Sequence, residues 1–444
     1  MKIVFFVHCF FPLHFYGTET YTFELAKNYK EMGFDVHVIT AIFSGETPAT
    51  DLIYHYEYEG IPVTAIDKNK LPNTRVKDTY YQSEMRPVLE KLLQSMWPDL
   101  IHVTHLINHT SVLLEVTAAL GIPTFATFTD FYGFCFNNKL EASNGSLCKG
   151  PSTNRSNCIA CYIKDASKND GASKLLKGIT KIKQTHFAAE IINKVRKIPP
   201  FRNGPVDGLL EDLTARPSTL LSLYSSYNGA VAPTQFLHDA YKNNGFTVPM
   251  HNINFGIDIN RDAKPIRFAG QKPIIGYIGQ IAPHKGVDIL VDAFLRLPKD
   301  SAELHIYGPS DQDPGYMSKM VTKSENRCVY FRGTFDKNSM AAIFSQIDLC
   351  VIPSRWYENS PLVLLNALAT HTPVVVSDVA GMTEFVNEGI NGHVFERGSV
   401  DDLERALLDI LKIKNSLYEL SLTTHYSRST QIMAQETLEI YNAK

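Results

Sequence analysis

Short apolar runs alternate with helical patterns along most of the chain. Residues 3–7 form one such run, and a loop ending in Gly17-Thr18-Glu19 leads into a stretch with Phe23, Ala26, Tyr29 and Met32 at three-residue spacing. Gly33 closes that stretch and a β-rich run at 36–42 follows, which is the pattern of a βαβ unit. Similar runs occur at 100–103, after Pro98-Asp99, and at 124–128, after Gly121-Ile122-Pro123. The alternation restarts at 274–278, 304–307, 329–331, 349–352 and 374–376, with helical patterns such as 287–297 and 361–370 between. Short buried strands alternating with helices predict parallel sheets covered on both faces, hence two doubly wound α/β domains.

Length supports two cores, since 444 residues exceed the ~250 that one core usually fills. The expected division is an N-terminal domain over 1–255, a polar linker over 256–273, a second domain over 274–425, and a terminal helix over 426–444 that packs back on the first domain. The first domain carries a Cys-rich loop at 135–161 and a basic helical segment at 162–230. A hydrophobic content of 44%, 20% charge and a net charge of −3 give no basic excess, so a nucleic-acid partner is not expected. His8, Pro12 and His14 interrupt the first apolar run, which therefore reads as a buried strand rather than a signal peptide. No stretch reaches the ~20 apolar residues of a membrane span, and seven cysteines do not suit a secreted disulfide framework, so a cytoplasmic protein is expected.

Neither half has the Gly-x-Gly-x-x-Gly turn of a dinucleotide-binding dehydrogenase. The C-terminal half instead ends its strands in polar or glycine-bearing loops, where an α/β sheet places its ligand. The most informative runs from Pro353 to Leu368. Its strand ends at Pro353, its loop presents Glu358, and Ser360 is expected to cap a helix with Pro361 at the first position. The free amides of Leu362 and Val363, with the positive end of the helix dipole behind them, would then suit a diphosphate.

This run closely resembles the nucleotide-binding motif of glycosyltransferase family 4, the retaining enzymes of the GT-B fold, in which two Glu residues separated by seven bracket the helix start. Glu358 matches the first, which in the family contacts the donor sugar; Asn366 stands at the second, which holds the ribose. Residues 276–286 look like the family's strand-turn-Lys-Gly segment, with Lys285 in place to neutralise the leaving diphosphate and Gln280 where Arg is commoner. Gly308 and Arg332-Gly333 occupy loops that lie around the nucleotide in the family, and 374–384 with Asn391-Gly392 matches its C-terminal continuation. In the N-terminal half, Gly17 matches a glycine whose amide approaches the donor phosphates, with Tyr16 at another glycine position and Glu19 also matching. His105 ends a segment similar to one with an inward-facing His, and Thr129-Asp130 stands where many members carry His-Asp.

The resemblance implies two Rossmann-like domains facing a cleft, with a nucleotide-diphosphate sugar held by the C-terminal half and an acceptor hydroxyl attacking from the N-terminal side. It implies Glu358, Lys285, His105 and Asp130 as catalytic, and Gly17, Gln280, Gly308, Arg332, Ser360, Leu362, Val363 and Asn366 as donor-binding. The implied enzyme is a retaining hexosyltransferase in polysaccharide or glycolipid assembly. It would work by a front-face mechanism in which Lys285 and helix-end amides take the place of a catalytic metal. A sugar-nucleotide epimerase of the same fold and a non-catalytic carbohydrate-binding subunit are the alternatives.

Two further features stand apart. Cys135, Cys148, Cys158 and Cys161 fall in one Gly-, Asn- and Ser-rich stretch, and in a reducing compartment such a cluster reads as a tetrahedral zinc site or as four unliganded thiols. Cys9, Cys328 and Cys350 read as buried small hydrophobes. Residues 164–202 interleave ten Lys or Arg with apolar residues, including Lys174, Lys177, Lys181 and Lys183. Such a face can rest on an anionic bilayer, placing the protein at the inner face of the membrane near a lipid-linked saccharide acceptor, or can simply be solvated.

Overall fold

Ile3, Val4, Phe5 and Phe6 are fully buried, and they form the central strand, β1 (Lys2–Phe6), of a parallel sheet. The computed structural model describes residues 1–167, 185–195, 205–259, 262, 271–413 and 415–442. The chain divides into two units, Met1–Asn254 with Met433–Lys444, and Phe255–Ile432.

The first unit adds β2 (Asp35–Ile42), β3 (Ile53–Tyr58), β4 (Ile61–Asp67), β5 (Leu100–Val103), β6 (Thr124–Thr127), β7 (Gly229–Ala232) and β8 (Met250–Asn252). The sheet order is β3-β4-β2-β1-β5-β6-β7-β8. Every pairing is parallel except β3 with β4. That antiparallel pair turns at Glu59-Gly60, both with positive φ (46° and 75°), as a two-residue hairpin requires. The helix Thr430–Asn442 contributes to this unit through its later residues: Tyr29 donates its hydroxyl to the Ala434 carbonyl (3.1 Å), and the Tyr441 hydroxyl pairs with His102 Nδ1 (2.7 Å).

The second unit is a six-stranded parallel sheet of β9 (Ile274–Ile278), β10 (Glu303–Tyr307), β11 (Val329–Gly333), β12 (Leu349–Ile352), β13 (Val374–Ser377) and β14 (Gly392–Phe395). Its order is β11-β10-β9-β12-β13-β14. Its core packs Ile275, Leu304, Ile306 and Val351 against the apolar faces of the helices Val287–Arg296 and Val400–Lys412. Residues 256–259, expected in a linker, belong instead to this unit. The Ile257 amide donates to the Arg428 carbonyl (3.0 Å), and the Asp258 carboxylate accepts from the Thr430 amide (3.2 Å).

The basic region contains the helices Ser156–Ala166, Thr185–Val195 and Pro205–Tyr224. Lys174, Lys177, Lys181 and Lys183 lie outside the described residues. Among the described residues, no helix is long and apolar enough to cross a membrane.

Candidate active site

In the second unit the strand order reverses between β9 and β12, which pair directly. Loops leaving the carboxyl ends of such a pair diverge and leave a crevice. The loop after β9 carries Lys285 and the loop after β12 carries Glu358. Lys285 Nζ donates to Glu358 Oε1 at 2.6 Å, and the same oxygen accepts from the Ser354 hydroxyl (2.9 Å) and Trp356 Nε1 (3.0 Å). Glu358 is only 9% exposed, so three donors on one oxygen compensate a carboxylate taken out of water. Lys285 Nζ also lies 5.2 Å above the Trp356 ring, and the His284 ring packs on the same indole with ring centroids 3.8 Å apart.

Arg355 fixes the base of this loop. Its guanidinium forks onto Asp288 (2.7 Å to each oxygen) and donates to the Pro283 carbonyl (2.6 Å), tying the two loops together. Burial alone would push the Asp288 carboxyl up, but the Arg355 fork and the Tyr316 hydroxyl hold it below its ordinary range. Ser354, Trp356 and the Arg355–Asp288 pair were not anticipated. Their signal was position, since all three loop residues lie within four of Glu358.

The helix after this loop starts differently from expectation. It spans Leu362–Ala369 with Pro361 itself at the N-cap in an extended conformation, and no side chain caps it. Ser360 adopts a left-handed φ of 57° one residue earlier, and its hydroxyl is buried with no hydrogen-bond partner among the described residues. A proline at the cap puts the preceding residue outside helical space, which moves the expected serine cap out of register. The first amides of the helix, Leu362 and Val363 among them, have no carbonyl within the helix to bond. Asn366 donates its amide to the Leu362 carbonyl (2.9 Å).

The remaining donor-site candidates sit at neighbouring strand ends. Gly308 ends β10, and a Cβ there would meet the Gly279 carbonyl oxygen at 1.9 Å, so the two loops touch backbone to backbone. The Gln280 carbonyl accepts from the Tyr277 hydroxyl (2.6 Å). Arg332 is exposed, lies 4.8 Å over the Tyr330 ring and is 3.3 Å from His305 Nε2.

In the first unit the order reverses between β1 and β5, and the loops there carry a second polar group. His105 Nε2 lies 2.9 Å from Asp130 Oδ2, while its Nδ1 accepts from the Ile107 amide (3.0 Å). With Nδ1 occupied as an acceptor, the ring proton sits on Nε2 and points at Asp130. The Tyr132 amide donates to the other Asp130 oxygen (2.8 Å). His105 is 7% exposed, and its ring centroid lies 4.3 Å from that of His8, the two rings tilted by 42°. His8 Nε2 in turn is 3.2 Å from Glu19 Oε1, which also accepts from the Cys9 thiol (3.1 Å). Burial, with His105, His109 and His14 nearby, pushes His8 well below the usual imidazole range. His8 was not anticipated as part of this group. Gly17 opens the helix Gly17–Glu31, and a Cβ there would meet nothing within 4 Å.

Cys135, Cys148, Cys158 and Cys161 line one cavity in the first unit, and all seven cysteines are free. The expected zinc geometry is not formed: among the described residues, no three of these sulfurs lie within 4.8 Å of one another. Cys9 and Cys350 are buried as expected, but Cys328 is partly exposed and donates to Asp300 (3.5 Å).

Two Rossmann-like parallel sheets, each with its polar group at the strand-order reversal, define a protein of the GT-B class. The chain belongs to the family 4 glycosyltransferases. The model described as Glycosyltransferase Family 4 matches residues 15–142 and that of Glycosyl transferases group 1 matches 272–412, together more than half of the chain. Among curated relatives, a lipopolysaccharide 1,2-N-acetylglucosaminetransferase of Salmonella typhimurium is 29% identical over 200 residues, which cover 40% of this chain and 48% of the relative. An alpha-D-kanosaminyltransferase of Streptomyces kanamyceticus is 26% identical over 153 residues, 33% of this chain and 39% of the relative. The matched stretches thus span about half or less of these relatives. A glycosyltransferase from Rickettsia africae superposes with a TM-score of 0.64 at 15% identity, covering 99% of this chain and 97% of the other. HepE of Anabaena, solved with UDP and glucose, gives 0.62 at 16% identity over all of both chains.

Proposed function

We propose that the protein transfers a sugar, with retention, from a nucleotide-diphosphate sugar to a hydroxyl of a saccharide or lipid-linked saccharide, in cell-surface polysaccharide or glycolipid assembly. The observation that carries this reading is the Glu358 carboxylate, buried yet satisfied by Lys285, Ser354 and Trp356, beside a helix start that no side chain caps. Uncapped amides and a lysine match the charge of a diphosphate, and a carboxylate beside them matches the positive character that develops at the sugar as the bond breaks. Lys285 and the amides of Leu362 and Val363 would stabilise the leaving diphosphate without a metal. The Ser360 hydroxyl, buried and unpartnered among the described residues, would add a hydrogen bond to the donor. The open space at Gly17 would admit a phosphate close to the backbone. In the first unit, Asp130, held by His105 and the Tyr132 amide, is assigned to the acceptor hydroxyl. The UDP complex of HepE supports a nucleotide-linked donor.

The deciding experiment is a panel of UDP-, GDP- and ADP-sugars with and without hydroxyl acceptors, read by thermal shift and by NMR of the product anomer. Acceptor-dependent release of nucleoside diphosphate with a retained anomeric configuration is expected. Release of an altered free sugar without acceptor would make the protein an epimerase, and binding without turnover would make it a carbohydrate-binding subunit. Peripheral contact through residues 164–202 belongs to the same reading, and charge reversal at Lys174, Lys177, Lys181 and Lys183 should lower binding to anionic vesicles at low salt.

A further inference from the structure

The cavity lined by Cys135, Cys148, Cys158 and Cys161 also contains Gly150 and Asn157, and its walls come from two loops and one helix. Cys158 and Cys161 lie on the helix Ser156–Ala166, which is anchored through Ile159, Ala160 and Ile163 to a small core of its own with Leu210 and Leu213. One of the four sulfurs already accepts N–H groups: Cys148 Sγ receives the Gly150 amide (3.4 Å) and the Asn157 side-chain amide (3.7 Å). N–H groups aimed at sulfur favour its anionic, metal-binding form and fix its orientation. Gly150 is needed for this: its φ is 128°, and a Cβ would strike the Asn244 side chain at 2.1 Å.

We propose that Cys135, Cys148, Cys158 and Cys161 form a tetrathiolate site for one structural zinc ion. Binding releases the four thiol protons to solvent as four Zn–S bonds form, and no oxidant or reductant takes part. Zn–S bonds of ≈ 2.3 Å place the sulfurs of a tetrahedral site roughly 3.8 Å apart. The thiols here turn to local acceptors instead, Cys135 to Asn137 Oδ1 (2.9 Å), Cys148 to the Gly150 carbonyl (3.3 Å) and Cys161 to the Glu141 carbonyl (3.6 Å). A χ1 change between staggered wells moves a sulfur by roughly 3 Å, which would exchange these local contacts for bonds to a shared ion. The ion would pin the two loops to the helix.

The test uses the full chain purified under reducing conditions without added metal or chelator. Elemental analysis is expected to give one zinc per chain. Exchange into Co²⁺ should produce thiolate-to-metal charge transfer and the strong visible bands of a tetrahedral site. Cys158→Ser and Cys148→Ser should lose the metal, while Cys328→Ser keeps it. Should the serine variants fail to fold, the Co²⁺ spectrum of the unaltered protein still decides. No zinc, no Co²⁺ charge transfer and four freely titrating thiols would overturn the proposal, as would disulfides among the four.

Discussion

Lys285 and Glu358 lie 73 residues apart in sequence and share a 2.6 Å hydrogen bond, because the strands before them, β9 and β12, are neighbours across the point where the sheet order reverses. The cation proposed for the diphosphate is thus held by the carboxylate proposed for the sugar, and each residue sets the other's geometry.

That pairing separates two variants. Glu358→Gln keeps the shape but removes the charge, so turnover should fall by roughly 100-fold or more while nucleotide affinity changes little, as expected for an interaction that strengthens in the transition state. Lys285→Ala should weaken nucleoside-diphosphate binding by about 2 kcal/mol, the size of a charge-assisted hydrogen bond, and lower the rate as well. Calorimetric titration and initial rates on each variant distinguish the two. Unchanged transfer in both would place the donor elsewhere.

Gly381 backs the Glu358 loop. Its φ is 88°, and a Cβ would lie 1.5 Å from the Glu358 carbonyl oxygen. Gly381→Ala should therefore displace the loop and cost about 3 kcal/mol of stability or more. Gly389 also has a positive φ, 71°, but open space around it, so Gly389→Ala should cost only about 1 kcal/mol. Urea denaturation of the two variants compares them, and equal losses would refute the contact as the cause.

Asp130 uses both carboxylate oxygens, one for His105 Nε2–H and one for the Tyr132 amide. Asn offers a single acceptor, so Asp130→Asn must give up one bond and turn an N–H toward another donor, at about 1–3 kcal/mol. Acceptor-dependent rate should drop with donor affinity unchanged. NMR of the His105 ring nitrogens should show the Nε2–H tautomer in the unaltered protein and its loss in the variant; an Nδ1–H tautomer at the start would contradict the assignment.

Lys68 gives the pH dependence a sign. It is buried against Gln82, and burial lowers its pKa to about 8 from an ordinary 10.5. Between those values the folded state binds fewer protons than the unfolded chain, so stability rises as pH climbs through the window, and the cost of the buried charge is complete below about 8. Lys68→Met should stabilise the fold by at most about 3 kcal/mol at pH 7. The gain should fade toward pH 10. Chemical denaturation at both pH values checks it, and an equal gain at both would mean that charge is not the origin.

The sequence by itself determined the central strands and the positions of Glu358 and Lys285 just past two of them. β1, β5, β9, β12 and β13 are buried on both faces, so they are near-continuous apolar runs that periodicity finds directly. Glu358 and Lys285 were legible because each lies a few residues past such a strand, where loop chemistry is local. Several peripheral elements were not legible, although the edge strand β11 was. β3 mixes exposed and half-buried positions and gains its place from the Glu59-Gly60 turn and from β4, while β7 and the edge strands β8 and β14 are three or four residues long and defined by their partners. The start of the helix at Leu362 was misread by one position, because whether Ser360 or Pro361 caps depends on backbone angles that residue type does not fix. Only the tertiary structure decided which loops meet: sheet order set β9 beside β12 and β1 beside β5. That order alone brings Lys285 to Glu358 and His105 to His8. Pairing order is a non-local property, settled by how whole strands and helices bury one another, and a one-dimensional pattern of apolar residues does not record it.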